Sequence, residues 1–429
     1  MVKDAVKVGL LGLGTVGAGV MKVLQINSEQ VRSRAGINIE VKKILVRDLK
    51  KPRAVKVEPS LLTTNIAEIL EDPEIDVVIE LMGGLAARIH VEEALRRKKF
   101  VITANKDLMA TAGASLLRLA RDNGRNIYYE ASVGGGIPLI RPLKHSLGAN
   151  RILRLVGIIN GTTNYILTRM DLENMEFADA LAEAQALGFA EQDPGNDLEG
   201  KDAAYKLCIL AGLAFNSKVH FDTVNVEGIS NLKQRDILYA RELGFTVKLL
   251  AIGEEKAEGL TLRVHPALVP LTHPLAGVLY ENNALYVEGN AVGEVMFYGP
   301  GAGAMPTGSS VVADLIDVAR NINHQVENGI METDFIDKKV VPLDELESAF
   351  YLRLLAEDQS GVFAGLANAF SEERVSLDMI IQKRSREGEA EIVLVTHAEK
   401  EKRFNAALAK IQKFSGIKAV KSVYRVIRK

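Results

Sequence analysis

Tryptophan is missing from the 429 residues, cysteine occurs once, and phenylalanine and tyrosine bring the aromatic share to only 5%. So few rings leave no platform on which the bases of a nucleic acid would stack. The lone thiol, Cys208, excludes an intrachain disulfide and suits a reducing compartment. Charge of one sign is lacking too: 53 lysines and arginines face 55 aspartates and glutamates, a net of -2. No basic field gathers nucleic acid or an anionic membrane surface. Nor is there an uncharged apolar run of about 18 residues, the least that a membrane-spanning helix needs. The opening MVKDAVKVGLLGLG places charge and glycine where a secretory signal needs an apolar core, so a cytoplasmic location is expected.

What is present is a large apolar fraction, 47%, enough to build substantial cores. At about 100–200 residues per domain, the length implies several domains. In the first third, short apolar runs at 6–11, 39–46, 75–80 and 100–103 alternate with helical patterns such as 88–98 and 107–121. That alternation predicts a parallel sheet covered on both faces. The pattern changes near Glu130, where EASVGGGIPLI is too rich in glycine for the inside of a helix or strand. Beyond it, a strand at 152–160, helices at 178–187 and 202–213, and strands near 260–264 and 284–287 imply an α+β region. A second glycine and proline break at 300–308 precedes an amphipathic helix at 309–321 and a polar connector over 322–346. From Ser348 the pattern is β-α-β-β-α-β, with strands at 350–356, 375–382, 390–397 and 419–426 and helices at 361–372 and 400–414. The expected domains are therefore 1–132, 133–308, a returning helix and linker at 309–346, and 347–429.

Three clusters carry chemistry. Gly12-Leu13-Gly14-Thr15-Val16-Gly17 is a G-x-G-x-x-G set that follows the first strand and opens the first helix, the context in which such a set binds a dinucleotide. Gly12 permits the tight turn, Gly14 lets the backbone approach a pyrophosphate, and Gly17 lets the helix close on the sheet. The second strand ends at Arg47-Asp48. Asp48 suits a ribose 2′-hydroxyl and Arg47 a 2′-phosphate, so NADP is favoured with NAD kept as the alternative. Thr103-Ala104-Asn105-Lys106 ends another parallel strand, on the side where ligands sit in open α/β sheets, and Lys106 is a candidate for contact with substrate or nicotinamide. The third cluster runs from Glu191 through Asp197 to Asp202 and Lys206. Glycine and proline make its first half a loop. Asp202 and Lys206 then fall four apart on one helix face. Such a loop suits an ammonium group and the orientation of a catalytic lysine; a solvated polar loop is the alternative.

These residues and the segments around them resemble homoserine dehydrogenase over essentially the whole chain. The matching segments are GLGTVG at 12–17, TANK at 103–106, EASVGGGIPLI at 130–140, NGTTNYIL at 160–167, GFAEQDPGNDLEGKDAAYKLCILA at 188–211 and GPGAG at 299–303. The resemblance implies interconversion of homoserine and aspartate 4-semialdehyde with a nicotinamide cofactor, between aspartate and threonine or methionine. It assigns proton transfer to Lys206, polarisation of the reacting oxygen to Lys106, and substrate binding to Glu191, Asp197, Asp202, Gly161 and Thr162. It brings Thr103, Gly299 and Gly301 to the cofactor, and places a structural monovalent cation such as sodium at Glu130, Val133, Gly135 and Ile137. One carboxylate with main-chain carbonyls would be the ligand set. Phe189 departs from the tyrosine that relatives often carry. The implied fold class is α/β: a Rossmann-type doubly wound parallel sheet, a middle α+β domain for catalysis and dimerisation, and a C-terminal ferredoxin-like ACT domain. Amino-acid feedback, with threonine as effector, is expected at the loop holding Asp358, Gly361 and Val362. A homodimer, or a homotetramer through the ACT domains, follows by the same resemblance.

Three other readings compete. A cysteine-based semialdehyde dehydrogenase needs a thiolate nucleophile, and Cys208 falls inside an apolar helical run. Another oxidoreductase on the same fold, or an amino-acid sensor without activity, would differ in whether homoserine is oxidised.

Overall fold

The computed structural model describes residues 3–326, 335–384 and 388–427. Part of the expected connector, 327–334, lies outside the described residues. Contacts divide the chain into two compact units: Met1–Ile152 with Tyr205–Asp222 and Asn283–Lys338, and Leu153–Ala204 with Thr223–Asn282 and Lys339–Lys429.

The first unit holds β1 (Ala5–Leu11), β2 (Asn38–Leu45), β3 (Leu62–Thr63), β4 (Val77–Glu80), β5 (Phe100–Thr103) and β6 (Ile127–Tyr128), in the order β3-β2-β1-β4-β5-β6. Every pairing is parallel. β4 and β5 are buried at every position, as strands covered on both faces must be. The order reverses between β1 and β4, which opens the ligand crevice at their carboxyl ends. The core joins Val6, Val8, Leu10, Ile79 and Ile102 to Val311, Leu315 and Val318 of the helix Ala304–Asn323. That helix presses on the helix Thr15–Ile26: a methyl on Gly19 would lie 1.8 Å from the Ala304 carbonyl oxygen. The expected break at 300–308 ends at Gly303, because Pro306 sits in the first helical turn, where its missing N–H costs nothing.

On the same helix Asp314 is enclosed. Its carboxylate accepts the Glu130 main-chain N–H at 3.0 Å and the Arg141 guanidinium at 2.7 Å. Burial outweighs Arg141 and pushes the carboxyl up to about 7. Arg141 keeps a third of its side chain in solvent, so enclosure weighs on the acid more than on its partner. A raised folded-state pKa means the native state holds the extra proton, so this group loses stability as pH climbs from its ordinary range to about 7. The unfolding free energy from urea titrations should therefore fall between about pH 5 and pH 8 in the unchanged protein, by an amount on the order of a few kcal/mol, and fall less in Asp314→Asn. Parallel pH curves for the two proteins would contradict this.

The second unit is built on one sheet. β7 (Ile152–Ile158), β8 (Asn225–Val226), β9 (Phe245–Lys256) and β10 (Gly259–Pro270) come from the middle of the chain. β11 (Asn282–Gly289) and β12 (Gly293–Pro300), which belong to the first unit, lead toward the GPGAG segment. The C-terminal strands are β13 (Glu347–Glu357), β14 (Leu377–Arg384), β15 (Glu389–Thr396), the short β16 (Glu399–Lys400) and β17 (Ile417–Val426). With helices Val362–Glu372 and Glu401–Lys413 they form the expected β-α-β-β-α-β set, in the order β17-β13-β15-β14 and antiparallel. Its core packs Phe350, Leu352 and Leu354 on Leu366, Phe370, Phe404 and Ile411.

The pattern suggests a self-contained module, but the sheet continues past it. β17 also pairs in parallel with β10, Ala267 opposite Arg425 and Leu268 opposite Val426. β10 in turn forms a long antiparallel hairpin with β9. Beneath this junction Arg353 donates to Asp236 at 2.6 and 3.0 Å and to Glu391 at 2.9 Å. Asp236 also accepts from Tyr351 and Ser422. Among the described residues no helix is long and apolar enough to cross a membrane.

Candidate active site

In the first unit the glycine set occupies the turn from β1 into the helix Thr15–Ile26. Gly12 has φ +106°, a conformation that side chains rarely adopt, and a methyl there would lie 2.9 Å from the Leu81 carbonyl oxygen. A methyl on Gly17 would meet the Gly12 oxygen at 2.4 Å, whereas one on Gly14 would meet nothing within 4 Å. Gly14 caps the helix without a side-chain hydrogen bond, so the terminal amides face the open side where a phosphate belongs. Leu13 is buried beneath this turn and Thr15 is exposed on it. The pieces fit a nicotinamide dinucleotide: turn, open approach and helix end lie at the point of strand reversal.

Beyond β2, Arg47 is exposed. The Asp48 carboxylate turns back and accepts the Lys50 N–H at 2.8 Å. Arg53 donates to the Asp48 carbonyl. The acid is thus occupied by its own turn.

Two further groups shape the crevice that sequence reading did not pick out. Glu80, at the end of β4, is fully buried. One of its oxygens accepts the N–H groups of Met82 and Gly83 at 2.8 and 3.1 Å, and the other accepts the Thr103 hydroxyl at 2.7 Å. The Thr103 oxygen also accepts the Asn105 N–H at 3.0 Å. What Thr103 offers a cofactor is therefore its main chain. Asn105 caps the helix Lys106–Asp122 through the Leu108 N–H and donates to the Gly84 carbonyl at 2.8 Å. Lys106, half-buried, is the first residue of that helix. An acid closing an apolar strand before a double glycine was the available signal for Glu80, and an asparagine at a helix start was the one for Asn105.

In the second unit Asn160 organises the acidic cluster. Its side-chain oxygen accepts the Thr163 N–H and caps the helix Gly161–Glu173. Its amide nitrogen donates to Asp197 at 2.7 Å and to Asp202 at 2.8 Å. One amide thereby brings together two carboxylates that the sequence reading grouped. Asp202 is buried, Asp197 half-buried and Glu191 exposed. The Thr162 hydroxyl donates to the Phe189 carbonyl at 2.7 Å, so it tethers the loop ahead of Glu191. Phe189 rests on Tyr165 with ring centres 4.9 Å apart, and the ring contact remains where a hydroxyl is lost.

The helix Lys201–Ala214 carries Asp202 in its first turn and Lys206 one turn later. Lys206 is half-buried. Cys208, on the same helix, is buried, and burial pushes its thiol up to about 12. A thiolate nucleophile is excluded at neutral pH.

The cation expectation changes in one respect. The Glu130 carboxylate is buried and accepts three main-chain N–H groups, from Leu139 and Ile140 on one oxygen and from Arg141 on the other. It serves as the anchor of its own loop rather than as the carboxylate ligand expected from sequence. A cation at Glu130, Val133, Gly135 and Ile137 would take main-chain oxygens, a hard and nearly uncharged set that suits a monovalent ion. The Gly135 carbonyl already accepts the Ser310 hydroxyl at 2.6 Å. In the C-terminal module, Asp358 is exposed and its N–H donates to the Gly388 carbonyl at 2.9 Å. Gly361 opens the helix Val362–Glu372, and the Val362 side chain belongs to the module's core.

Family models match along the chain: "Homoserine dehydrogenase, NAD binding domain" over 12–130, "Homoserine dehydrogenase" over 138–316 and "ACT domain" over 350–416. The chain is 44% identical to a homoserine dehydrogenase of Bacillus subtilis, with 98% of each chain covered. A solved homoserine dehydrogenase from Thiobacillus denitrificans superposes with a TM-score of 0.93 at 42% identity, over 99% of this chain and 98% of that one. A hyperthermophilic archaeal homoserine dehydrogenase solved in complex with NADPH aligns with a TM-score of 0.63 at 26% identity, over 76% of this chain and 99% of that one.

Proposed function

The chain belongs to the homoserine dehydrogenase family, and from that premise we propose that it oxidises L-homoserine to aspartate 4-semialdehyde, reversibly, with NADP as the favoured cofactor and NAD as the alternative. Its place would be the cytoplasm, on the route from aspartate to threonine and methionine. The observation that carries this reading is Asn160 holding Asp197 and Asp202 together at the start of the helix that bears Lys206.

The glycine turn 12–17, with Arg47, Thr103, Lys106, Gly299 and Gly301, would hold the dinucleotide, which supplies or accepts the hydride when bound. Glu191, Asp197 and Asp202, with Gly161 and Thr162, would hold homoserine; the carboxylates suit its ammonium group. Lys206 takes the hydroxyl proton as the carbon loses its hydride, and returns it when the aldehyde is reduced. Lys106 stabilises negative charge on the reacting oxygen. A sodium ion on main-chain oxygens would stiffen the 130–137 loop. The turned-back Asp48 and exposed Arg47 support NADP.

Threonine is the proposed effector, bound at the loop of Asp358, Gly361 and Val362. Homodimers through the middle region, or tetramers through the ACT modules, are the proposed assemblies. The test is the absorbance of reduced nicotinamide formed from homoserine with NADP and with NAD, each with and without threonine. No homoserine-dependent signal with either cofactor would sink the activity. Equal rates with and without threonine would remove the effector.

A further inference from the structure

The segment 227–236 of the second unit is gripped at both ends by the C-terminal module and rests, at Gly228 and Ile229, on the turn between the two clamped carboxylates. At one end Arg425 of β17, itself buried, donates to Glu227 at 2.6 Å. The rest of that guanidinium is fixed by Glu401 at 2.7 and 2.8 Å, and Glu401 accepts the Ser348 hydroxyl. At the other end Asp236 is held by Arg353, Tyr351 and Ser422, all of the same module.

Between these grips the Glu227 N–H bonds to the Val264 carbonyl at 2.8 Å, which seats the segment on β10. Gly228 then passes so close to the turn at 198–199 that a methyl on it would lie 2.2 Å from the Leu198 oxygen and 2.6 Å from the Glu199 Cα. The Ile229 N–H donates to the Leu198 carbonyl at 2.8 Å. Leu198 follows Asp197 directly. Gly200, next in the turn, lies over Val226 and Val264: a methyl there would be 3.2 Å from a side-chain carbon of each. No side chain separates the segment from the turn, so displacement of one moves the other.

We propose that Glu227 is a positioning residue for homoserine binding: through Arg425 it ties the placement of Asp197 and Asp202 to the state of the C-terminal module. The segment 227–236 is the mechanical link between the gripping arginines and the substrate cluster. This rests on the proposed assignment of Asp197 and Asp202 to the substrate, but the link itself is a matter of contacts.

Half of the Glu227 side chain is in solvent, so Glu227→Ala is tolerated by the fold. In that variant the KM for homoserine should rise on the order of three- to tenfold, the scale of a lost coupling between sites. The kcat and the cofactor KM should stay within about twofold. Glu227→Gln, which keeps an acceptor for Arg425, should recover part of the loss. Hydrogen exchange followed by mass spectrometry supplies a readout free of catalysis: amides at 195–202 should exchange faster in Glu227→Ala, with those of β4 and β5 unchanged.

An unaltered homoserine KM with unaltered exchange at 195–202 overturns the proposal. So does a rise in both KM values accompanied by a fall in kcat and in thermal midpoint, the mark of general damage. Failure of glutamine to recover any affinity overturns the role of the hydrogen bond. If the unchanged chain does not oxidise homoserine, the proposed function falls, and the exchange pattern alone still decides the link.

Discussion

Lys206→Ala is expected to bind NADP as the unchanged chain does and to turn over homoserine about 10²-fold more slowly or worse. The expectation has a structural basis on both sides. Ala203, Ala204, Leu207, Leu210 and Ala211 are buried and anchor the helix Lys201–Ala214. Alanine is the best helix former, so the exchange leaves the helix standing. The glycine turn that would take the dinucleotide is made of other segments. The Cys208 thiol on this helix is no substitute base, since it is pushed up to about 12. Fluorescence titration with NADPH measures the retained binding, and stopped-flow single turnovers measure the lost chemistry. Near-normal single-turnover rates would remove Lys206 from the reaction.

Arg353→Met should lower the unfolding free energy by about 3–5 kcal/mol, the usual cost of stranding buried charge. Arg353, Asp236 and Glu391 are all buried. Burial opposes the arginine's charge, yet Asp236 and Glu391 outweigh it and hold its pKa above the ordinary value. Glu391 is likewise opposed by burial and held below the usual carboxylate range by Tyr239, Arg353 and Arg235. A depressed carboxylate contributes stability above its unfolded pKa and loses it as pH falls through the folded one. Urea unfolding of the variant at neutral pH should show the loss, and the unchanged chain should also show an acid-side decline that the variant shows less. A shift within about 0.5 kcal/mol would mean the cluster is solvated and replaceable. Ending the chain near Leu346 would remove the partners of Asp236 and the strand beside β10 together, so it would not isolate regulation. Exchange of Asp358 for alanine, which touches an exposed loop, separates effector binding from integrity.

The parts legible in the sequence were those with a local signature. The turn at 12–17 declares itself by glycine spacing ahead of a helix, and the C-terminal β-α-β-β-α-β set by alternating periods. β9 was not anticipated. Its run TVKLLAIG is buried almost throughout, with Lys248 enclosed among the apolar residues, and a strand buried on both faces shows no period of two. Lys248 is satisfied there by the Val278 carbonyl at 2.6 Å and the Asn164 oxygen at 3.2 Å, and burial lowers its pKa to about 8. Asn160 was within a recognised segment, but its two carboxylate partners lie 37 and 42 residues away. Spacing along the chain cannot show which of several acids a given amide will reach. The resemblance placed a cation at Glu130; the three N–H donors to its carboxylate come from a bend that only the folded loop creates.

The parallel pairing of Ala267 with Arg425 has a consequence in time. During synthesis β10 leaves the ribosome long before its neighbour β17 exists, and a crossover of this length is slow to close. Until then the nascent hairpin β9–β10 presents main-chain groups that another nascent copy could satisfy. Cells making this chain rapidly should therefore show a delay between release of the polypeptide and the appearance of its mature form, and chaperones that shelter unfinished sheets should shorten the losses in between.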